Sequence, residues 1–404
     1  MQVRLKLRHV LAAALAAGCG YVAAPALSAQ PYIPEAVDFE QRLPSLSRLA
    51  EPSGAGPGRG RVSFKSAVIA APERFDLAGL AGETRPLELR GRERGGTWTR
   101  WVETEDANPV YFGGAEELQV RTRGWRPSGT LHYVNVSGTT SEVGGALTAV
   151  RQAINSAFVS ATGVLDPEAE ALPVRPEIVK RSEWGATRAE GGCKPRASPA
   201  RGTVKAAAVH HTVTANRYSE AEAPAIVLGI CRYHRNGNGW NDIGYNALVD
   251  RFGNLYAGRA GGLRKAVVGA HAQGFNSQTT GVASIGTHTA TAISPAAKAS
   301  LVDYLAWKLS VHGLRATGKT TLTSAGGEAS RYPRGRKVRL NKIIGHRTVG
   351  LTACPGERLY AEVARLRRLV GERIEQGGGT IVPPEEEIPP AERIAAPKAR
   401  QPAR

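Results

Sequence analysis

Two kinds of periodicity divide the chain. Between residues 61 and 138, apolar and polar side chains alternate in short runs: Arg61-Val62-Ser63-Phe64-Lys65, Leu87-Glu88-Leu89-Arg90, Thr97-Trp98-Thr99-Arg100-Trp101, Leu118-Gln119-Val120-Arg121-Thr122 and Leu131-His132-Tyr133-Val134-Asn135-Val136. A period of two, with turn residues between the runs, predicts a small antiparallel all-β domain. From about 177 to 370 strands and helices mix. Residues 204–209 read as a short apolar strand. Residues 219–233 read as a helix, with Ser219 and Glu222 in capping-box spacing and Ile226, Ile230 and Tyr233 on one face. Residues 243–250 and 255–257 bracket the turn Arg251-Phe252-Gly253-Asn254 as a hairpin. Ser294 caps a second helix with Pro295 at its first position, Gly313 beyond its end, and Leu301, Leu305 and Leu309 as its buried stripe. Residues 342–345 form a strand and 357–369 a last helix. Strand and helix do not alternate strictly. The fold expected is therefore α/β of the mixed α+β kind, a central mixed β-sheet flanked by helices, preceded by the small all-β domain.

The flanks lack period. Residues 30–60 are Pro/Gly-rich and read as a linker. Residues 139–176 read as a helical connector ending in Leu172-Pro173-Val174-Arg175-Pro176, and 371–404 as a disordered Pro-rich tail. Residues 1–29 read as a signal peptide. Arg4, Lys6 and Arg8 precede an apolar stretch at 10–17, too short to span a bilayer, and Ala24-Pro25-Ala26 and Ala26-Leu27-Ser28 offer small-residue cleavage sites. Ala16-Ala17-Gly18-Cys19 offers a second reading, a lipoprotein box with the lipid on Cys19. Either places the mature protein outside the cytosol, secreted or in the cell envelope, with no transmembrane segment.

Charge changes the picture in one region. The chain carries 53 Lys+Arg against 35 Asp+Glu, a formal net charge of +18. Residues 141–370 hold 31 basic and 15 acidic side chains, so nearly all the excess lies there. Such a field attracts polyanions. The densest run, Arg331-Tyr332-Pro333-Arg334-Gly335-Arg336-Lys337-Val338-Arg339, reads either as a solvated hairpin or as a contact for anionic wall polymers. No helix-turn-helix, finger or aromatic basic sheet motif accompanies it, so no nucleic-acid partner is expected. A hydrophobic fraction of 42% excludes global disorder, and four cysteines exclude a disulfide-dense scaffold. Trp98, Trp101 and Trp125 read as core aromatics or as a sugar-stacking surface. The β-rich domain shows no catalytic constellation, and His132 reads as an ordinary strand residue.

Two stretches carry chemistry. Val209-His210-His211-Thr212 ends an apolar strand. Gly345-His346-Arg347-Thr348-Val349-Gly350-Leu351-Thr352-Ala353-Cys354-Pro355-Gly356 places a His at a strand end and a Cys eight residues later on a loop that can return to it. His210, His346 and Cys354 would supply two imidazoles and a thiolate. Three protein ligands with a fourth tetrahedral position open is the pattern of catalytic zinc. Taken alone, His211 and His346 also read as satisfied strand-end residues. Cys193 and Cys231 remain as an even pair, a disulfide or two buried thiols.

Six motifs in order carry a resemblance: Arg181-Ser182-Glu183-Trp184-Gly185-Ala186; Val209-His210-His211-Thr212; Gly239-Trp240-Asn241-Asp242-Ile243-Gly244-Tyr245-Asn246; Tyr256-Ala257-Gly258-Arg259; Gly269-Ala270-His271 with Gly274-Phe275-Asn276; and Gly345-His346-Arg347 with Cys354-Pro355-Gly356. Over 177–370 the chain resembles the peptidoglycan recognition protein and type 2 N-acetylmuramoyl-L-alanine amidase family. The resemblance implies a mixed-sheet domain with a Zn2+ cleft, His210, His346 and Cys354 as ligands, Tyr245 as catalytic tyrosine and Thr352 assisting it. It places His211, Trp240, Arg259, His271 and Asn276 along a groove for the muropeptide stem of peptidoglycan. Gly239-Trp240 resembles the pair of members that prefer diaminopimelate stems. Thr348 departs from the Asp that commonly follows His-Arg. The reaction implied is hydrolysis of the amide between N-acetylmuramic acid and L-alanine. The alternative is a non-catalytic binding module of the same fold, a class that typically lacks the Cys. A thiol hydrolase, with Cys354 as nucleophile and His346 as base, is a further rival.

Overall fold

The computed structural model describes residues 38–49, 63–105, 107–136 and 173–377. The expected signal peptide, Cys19, residues 139–172 of the connector and the tail beyond 377 lie outside the described residues.

The first sheet holds β1 (Asp38–Arg42), β2 (Ser47–Arg48), β3 (Ser63–Lys65), β4 (Ile69–Leu80), β5 (Glu88–Arg92), β6 (Val102–Glu103), β7 (Val110–Arg123) and β8 (Thr130–Val134). Its path runs β1-β8-β4-β7-β3-β2, with β5 on β7 and β6 on β5, all antiparallel as the alternation requires. In β4, Phe75, Ala78 and Leu80 pack in the domain's own core while Leu77 packs against the next domain. The register with β7 slips between Phe75 and Leu77, and such a bulge turns a strand's faces over.

Residues 38–42 and 47–48, read from sequence as linker, are strands. Phe39 stacks on Tyr133 with ring centroids 4.9 Å apart, and Leu43 and Leu46 are buried. That alternation is too short to stand out beside Pro- and Gly-rich neighbours. Residues 97–101, expected as a strand, join no ladder. Their aromatics serve another purpose. Arg90 lies 4.6 Å from the ring centroids of both Trp98 and Trp101, and Arg85 lies 3.9 Å from that of Trp125. The three indoles are half-buried beneath guanidinium groups, so they form neither a dry core nor a bare stacking face.

The second domain holds β9 (Ile178–Val179), β10 (Ala206–His211), α1 (Ala223–Arg232), β11 (Ala247–Val249), β12 (Leu255–Ala257), β13 (Thr279–Ser284), α2 (Pro295–Val311), β14 (Lys319–Thr323), β15 (Lys337–Asn341), β16 (Ile343–Gly345) and α3 (Glu357–Gln376). Its six-stranded sheet has the order β16-β10-β13-β11-β12-β9, and β14 pairs with β15 as a separate hairpin. β10 is parallel to β13 and β16, and β11 is antiparallel to β12, so the sheet is mixed as expected. The expected helix N-terminus at Ser294 is present: its hydroxyl oxygen accepts from the Ala297 amide at 3.1 Å. Leu301, Leu305 and Leu309 are fully buried against the sheet with Leu359, Val363 and Leu366 of α3. α3 continues past residue 370, into residues read as tail. Val370 and Ile374 prolong its buried stripe, and Arg373 pairs with Asp303 at 2.7 Å. The basic run forms a turn and the start of β15, with Arg331, Arg334, Arg336, Lys337 and Arg339 exposed.

α1 is buried along its length, from Ile226 through Arg232. A helix apolar on all sides must be covered on all sides. Tyr245, Leu248 and Tyr256 of its own domain and Leu77, Tyr111 and Val134 of the β domain join it in one core. Gly229 permits the approach, since a Cβ there would lie 2.3 Å from Leu77 Cδ1. Arg232 pairs with Asp38 of β1 at 2.8 Å. A π-helical turn, Tyr233–Gly237, follows.

Cys193 and Cys231 are bonded, which selects the disulfide over two thiols. The bond spans 38 residues of sequence, for which the chain-entropy account gives about 3–4 kcal/mol. The Cys193→Ser/Cys231→Ser protein is expected to unfold at a clearly lower urea midpoint. Coincident midpoints would show that the bond constrains nothing. Among the described residues, no helix is long and apolar enough to cross a membrane.

Candidate active site

The site lies at the carboxyl ends of the parallel strands β10 and β16, where an open α/β sheet characteristically leaves a crevice. β10 ends in His210 and His211. β16 runs into a 3-10 turn that begins with His346. The chain then doubles back. The Gly350 amide donates to the His346 carbonyl at 2.9 Å, and the Arg347 amide to the Cys354 carbonyl at 2.7 Å. A Cβ on Gly350 would lie 2.7 Å from His346 Nε2, so glycine lets this loop pass the ring. The Cys354 amide donates to Thr352 Oγ1 at 3.0 Å.

These turns bring the three expected ligands together. One ligating atom each from His210, His346 and Cys354 lies within 4.8 Å of the others, all three residues buried. Cys354 Sγ is 3.6 Å from His210 Nδ1. Tetrahedral zinc with N and S ligands at their usual distances separates two such donors by about 3.6 Å. The donor set and its spacing thus fit zinc. Burial, together with His346, His271 and His211 beside it, holds the His210 imidazole well below its ordinary pKa and therefore neutral, the form that ligates.

His271 is placed behind this ligand rather than along an open groove. His210 Nε2 is 3.0 Å from His271 Nδ1, and His271 Nε2 is 3.5 Å from Thr279 Oγ1, which donates to the Phe275 carbonyl at 2.9 Å. Burial lowers the His271 pKa to about 3, so it stays neutral. With His210 Nδ1 facing the thiol, protons on the Nε2 atoms of both rings satisfy every link. A chain of this kind fixes the tautomer and tilt of a ligating imidazole.

Tyr245 lies with its ring centroid 5.4 Å from that of His210. Its hydroxyl donates to Asn108 Oδ1 at 3.0 Å and lies 3.5 Å from the His211 carbonyl. The Thr352 hydroxyl is 3.3 Å from Glu105 Oε2. His211 is fully buried, its Nδ1 accepting from the His288 amide at 3.1 Å and its Nε2 lying 3.2 Å from Glu105 Oε2. Trp240 is half-buried, its indole 4.6 Å from the His234 ring. Arg259 is half-buried too and donates to the Ile243 carbonyl at 3.3 Å. Asn276 Oδ1 accepts from the His271 and Ala272 amides at 2.9 and 2.8 Å, which makes it a brace for that turn.

Glu105 and Asn108 come from the domain in which sequence showed no chemistry. They lie between β6 and β7, and no periodicity or motif marks them. His234 was also passed over. It sits in the π-helical turn, its pKa lowered by burial to about 3, with Nε2 on Asn108 Oδ1 at 2.9 Å.

The sequence pattern of the N-acetylmuramoyl-L-alanine amidase family matches residues 200–357. Peptidoglycan-recognition protein SC2 of Drosophila simulans is 31% identical over 189 residues, covering 46% of this chain and 84% of that protein. The chain belongs to the peptidoglycan recognition protein and type 2 amidase family. An N-acetylmuramoyl-L-alanine amidase of Mus musculus is 31% identical over 187 residues, 46% of this chain and 30% of that one. Among solved structures, Drosophila PGRP-LB is similar at 25% identity and a TM-score of 0.35, covering 46% of this chain and 92% of that one. Family members thus carry both the amidase and the recognition names. The β domain lies outside the residues that the family pattern matches.

Proposed function

We propose that this family member is a zinc-dependent N-acetylmuramoyl-L-alanine amidase, exported to the cell envelope, that hydrolyses the amide between N-acetylmuramic acid and L-alanine in peptidoglycan. One observation carries the reading: two imidazoles and a thiol, all buried, converge within 4.8 Å. A binding module has no need of that donor set.

His210, His346 and Cys354 would hold the metal. When bound, zinc polarises an amide carbonyl and lowers the pKa of water from about 15.7 toward about 7. The remaining work falls to the protein. The Tyr245 hydroxyl donates to the oxygen that gains charge as the amide carbonyl becomes tetrahedral, a group in a dry site where such a donor is most effective. Thr352 Oγ1 accepts from the Cys354 amide, which leaves its own proton, directed at Glu105 Oε2 at 3.3 Å, as the one it can offer to substrate. The His271 and Thr279 pair keeps His210 in its ligating tautomer.

Metal analysis combined with digestion tests the reading. Purified protein is expected to contain about one zinc per chain, and to release stem peptides beginning with L-alanine from purified peptidoglycan. A chelator should abolish release and added zinc restore it. Zinc-free protein that cuts equally well would favour Cys354 as a nucleophile. Protein that binds muropeptides and never cuts them would favour the recognition role.

A further inference from the structure

The stretch between β6 and β7 is where the β domain reaches the cleft, and both side chains it contributes are buried, Glu105 at 9% and Asn108 at 5% exposure. They meet the groups the proposed reaction needs. Tyr245 OH donates to Asn108 Oδ1 at 3.0 Å, and Thr352 OH to Glu105 Oε2 at 3.3 Å. A third donor reaches the same carboxylate. His211 Nδ1 accepts from the His288 amide, so Nε2 carries the proton and donates to Glu105 at 3.2 Å. Asn108 Oδ1 accepts in addition from His234 Nε2, whose own tautomer is fixed by the Gly244 amide on Nδ1 at 3.1 Å. An amide carbonyl oxygen and a carboxylate of this chain thus occupy donors of the cleft, the same chemical groups that an amide carbonyl and an acidic stem peptide would present.

The two side chains are presented together and under strain. Asn108 donates from its backbone amide and from Nδ2 to the Glu105 carbonyl, at 2.9 and 3.0 Å. Between them Ala107 has φ +57, the left-handed region that an alanine seldom adopts. The Ala107 carbonyl accepts from Asn238 Nδ2 at 2.8 Å, and Asn238 Oδ1 accepts from the Gly82 amide at 3.3 Å. Strain at a non-glycine residue persists where surrounding contacts over-determine it, and it gathers at clamps and switches.

We propose that Glu105 and Asn108 form an internal pseudosubstrate, occupying the donors of the cleft until a peptidoglycan stem displaces them. The proposal rests on the amidase reading of Tyr245 and Thr352. It makes the resting protein self-restrained: apparent affinity for the stem is reduced by the fraction of molecules in which the pair is withdrawn.

The test uses the full chain and a muramyl tripeptide. Binding to metal-stripped protein is measured by calorimetry, and hydrolysis on the zinc-loaded form. The Glu105→Ala/Asn108→Ala protein is expected to bind about 10-fold more tightly and to show a similar rise in kcat/KM through a lower KM. Ala107→Gly keeps every contacting side chain and relieves the strained φ. It should favour the closed arrangement and weaken binding by about 3-fold. This second variant decides the matter if the first does not fold. Unchanged or weaker binding by the double variant, or tighter binding by Ala107→Gly, overturns the proposal. Tighter binding by the double variant with no hydrolysis by any form would uphold the pseudosubstrate and sink the amidase reading. Hydrolysis by wild type with no gain in the double variant would do the reverse.

Discussion

Cys354→Ser protein is expected to fold, to lose most of its zinc and to hydrolyse peptidoglycan at least about 10³-fold more slowly, since water activation depends on the metal. The substitution changes one buried atom and little volume. A serine hydroxyl in that place still faces polar atoms, the His210 Nδ1 and the His211 carbonyl, from which Sγ lies 3.6 and 4.0 Å. Packing therefore gives no reason to unfold. Metal affinity does change, because a thiolate suits zinc as a neutral hydroxyl does not. Elemental analysis, thermal melting and muropeptide mass measurement separate these effects. Wild-type zinc content in the variant would mean that Cys354 is not a ligand, and the proposed function would go with it.

Tyr245→Phe is expected to be the cleaner loss. Its zinc content should equal that of wild type, because the proposed ligands are His210, His346 and Cys354. The ring stays in the core that α1 shares with the sheet. Asn108 keeps its bond from His234, so no buried oxygen is stranded. What goes is a hydrogen-bond donor to the developing oxyanion. Loss of one such donor elsewhere lowers kcat by about 10²–10³. The expected signature is kcat reduced by that factor with KM changed far less. Turnover at the wild-type rate would leave Tyr245 a packing residue, and the nucleophile would need another partner.

How much of this was legible in sequence follows from how local each signal is. The cap at Ser294, the stripe of α2 and the ends of β10 and β16 are written in neighbouring residues, and the structure has them where the pattern put them. The three expected ligands were legible for a related reason. Each stands at a strand end or on the loop next to one, so reading the strands placed His210, His346 and Cys354 almost automatically. Their convergence came from the order of motifs, and the resemblance supplied it. Contacts between domains leave no such trace. Glu105 and Asn108 fall between the alternating runs at 97–101 and 118–122, in a stretch that no pattern marks. Their chemistry exists only because β6 and β7 carry them to a cleft built about 100 to 250 residues later, at His211 and Thr352. His271 shows the same limit inside one domain. Its motif pointed to the groove, while the fold turned its ring onto the back of His210. The strands at 38–42 and 47–48 were hidden by composition, whereas the helix read over 219–233 is present as α1.

The missing polar face of α1 has a consequence for how the protein can be handled. Ile226, Ile230 and Tyr233 belong to a seam that both halves help to close, and Gly229 is pressed against Leu77 across it. A fragment starting at residue 173 would lay this oily seam open to water and strip Arg232 of Asp38, its counter-charge. Such a fragment would clump or seek a substitute cover, so this half cannot simply be cut free and studied as though it were the whole protein.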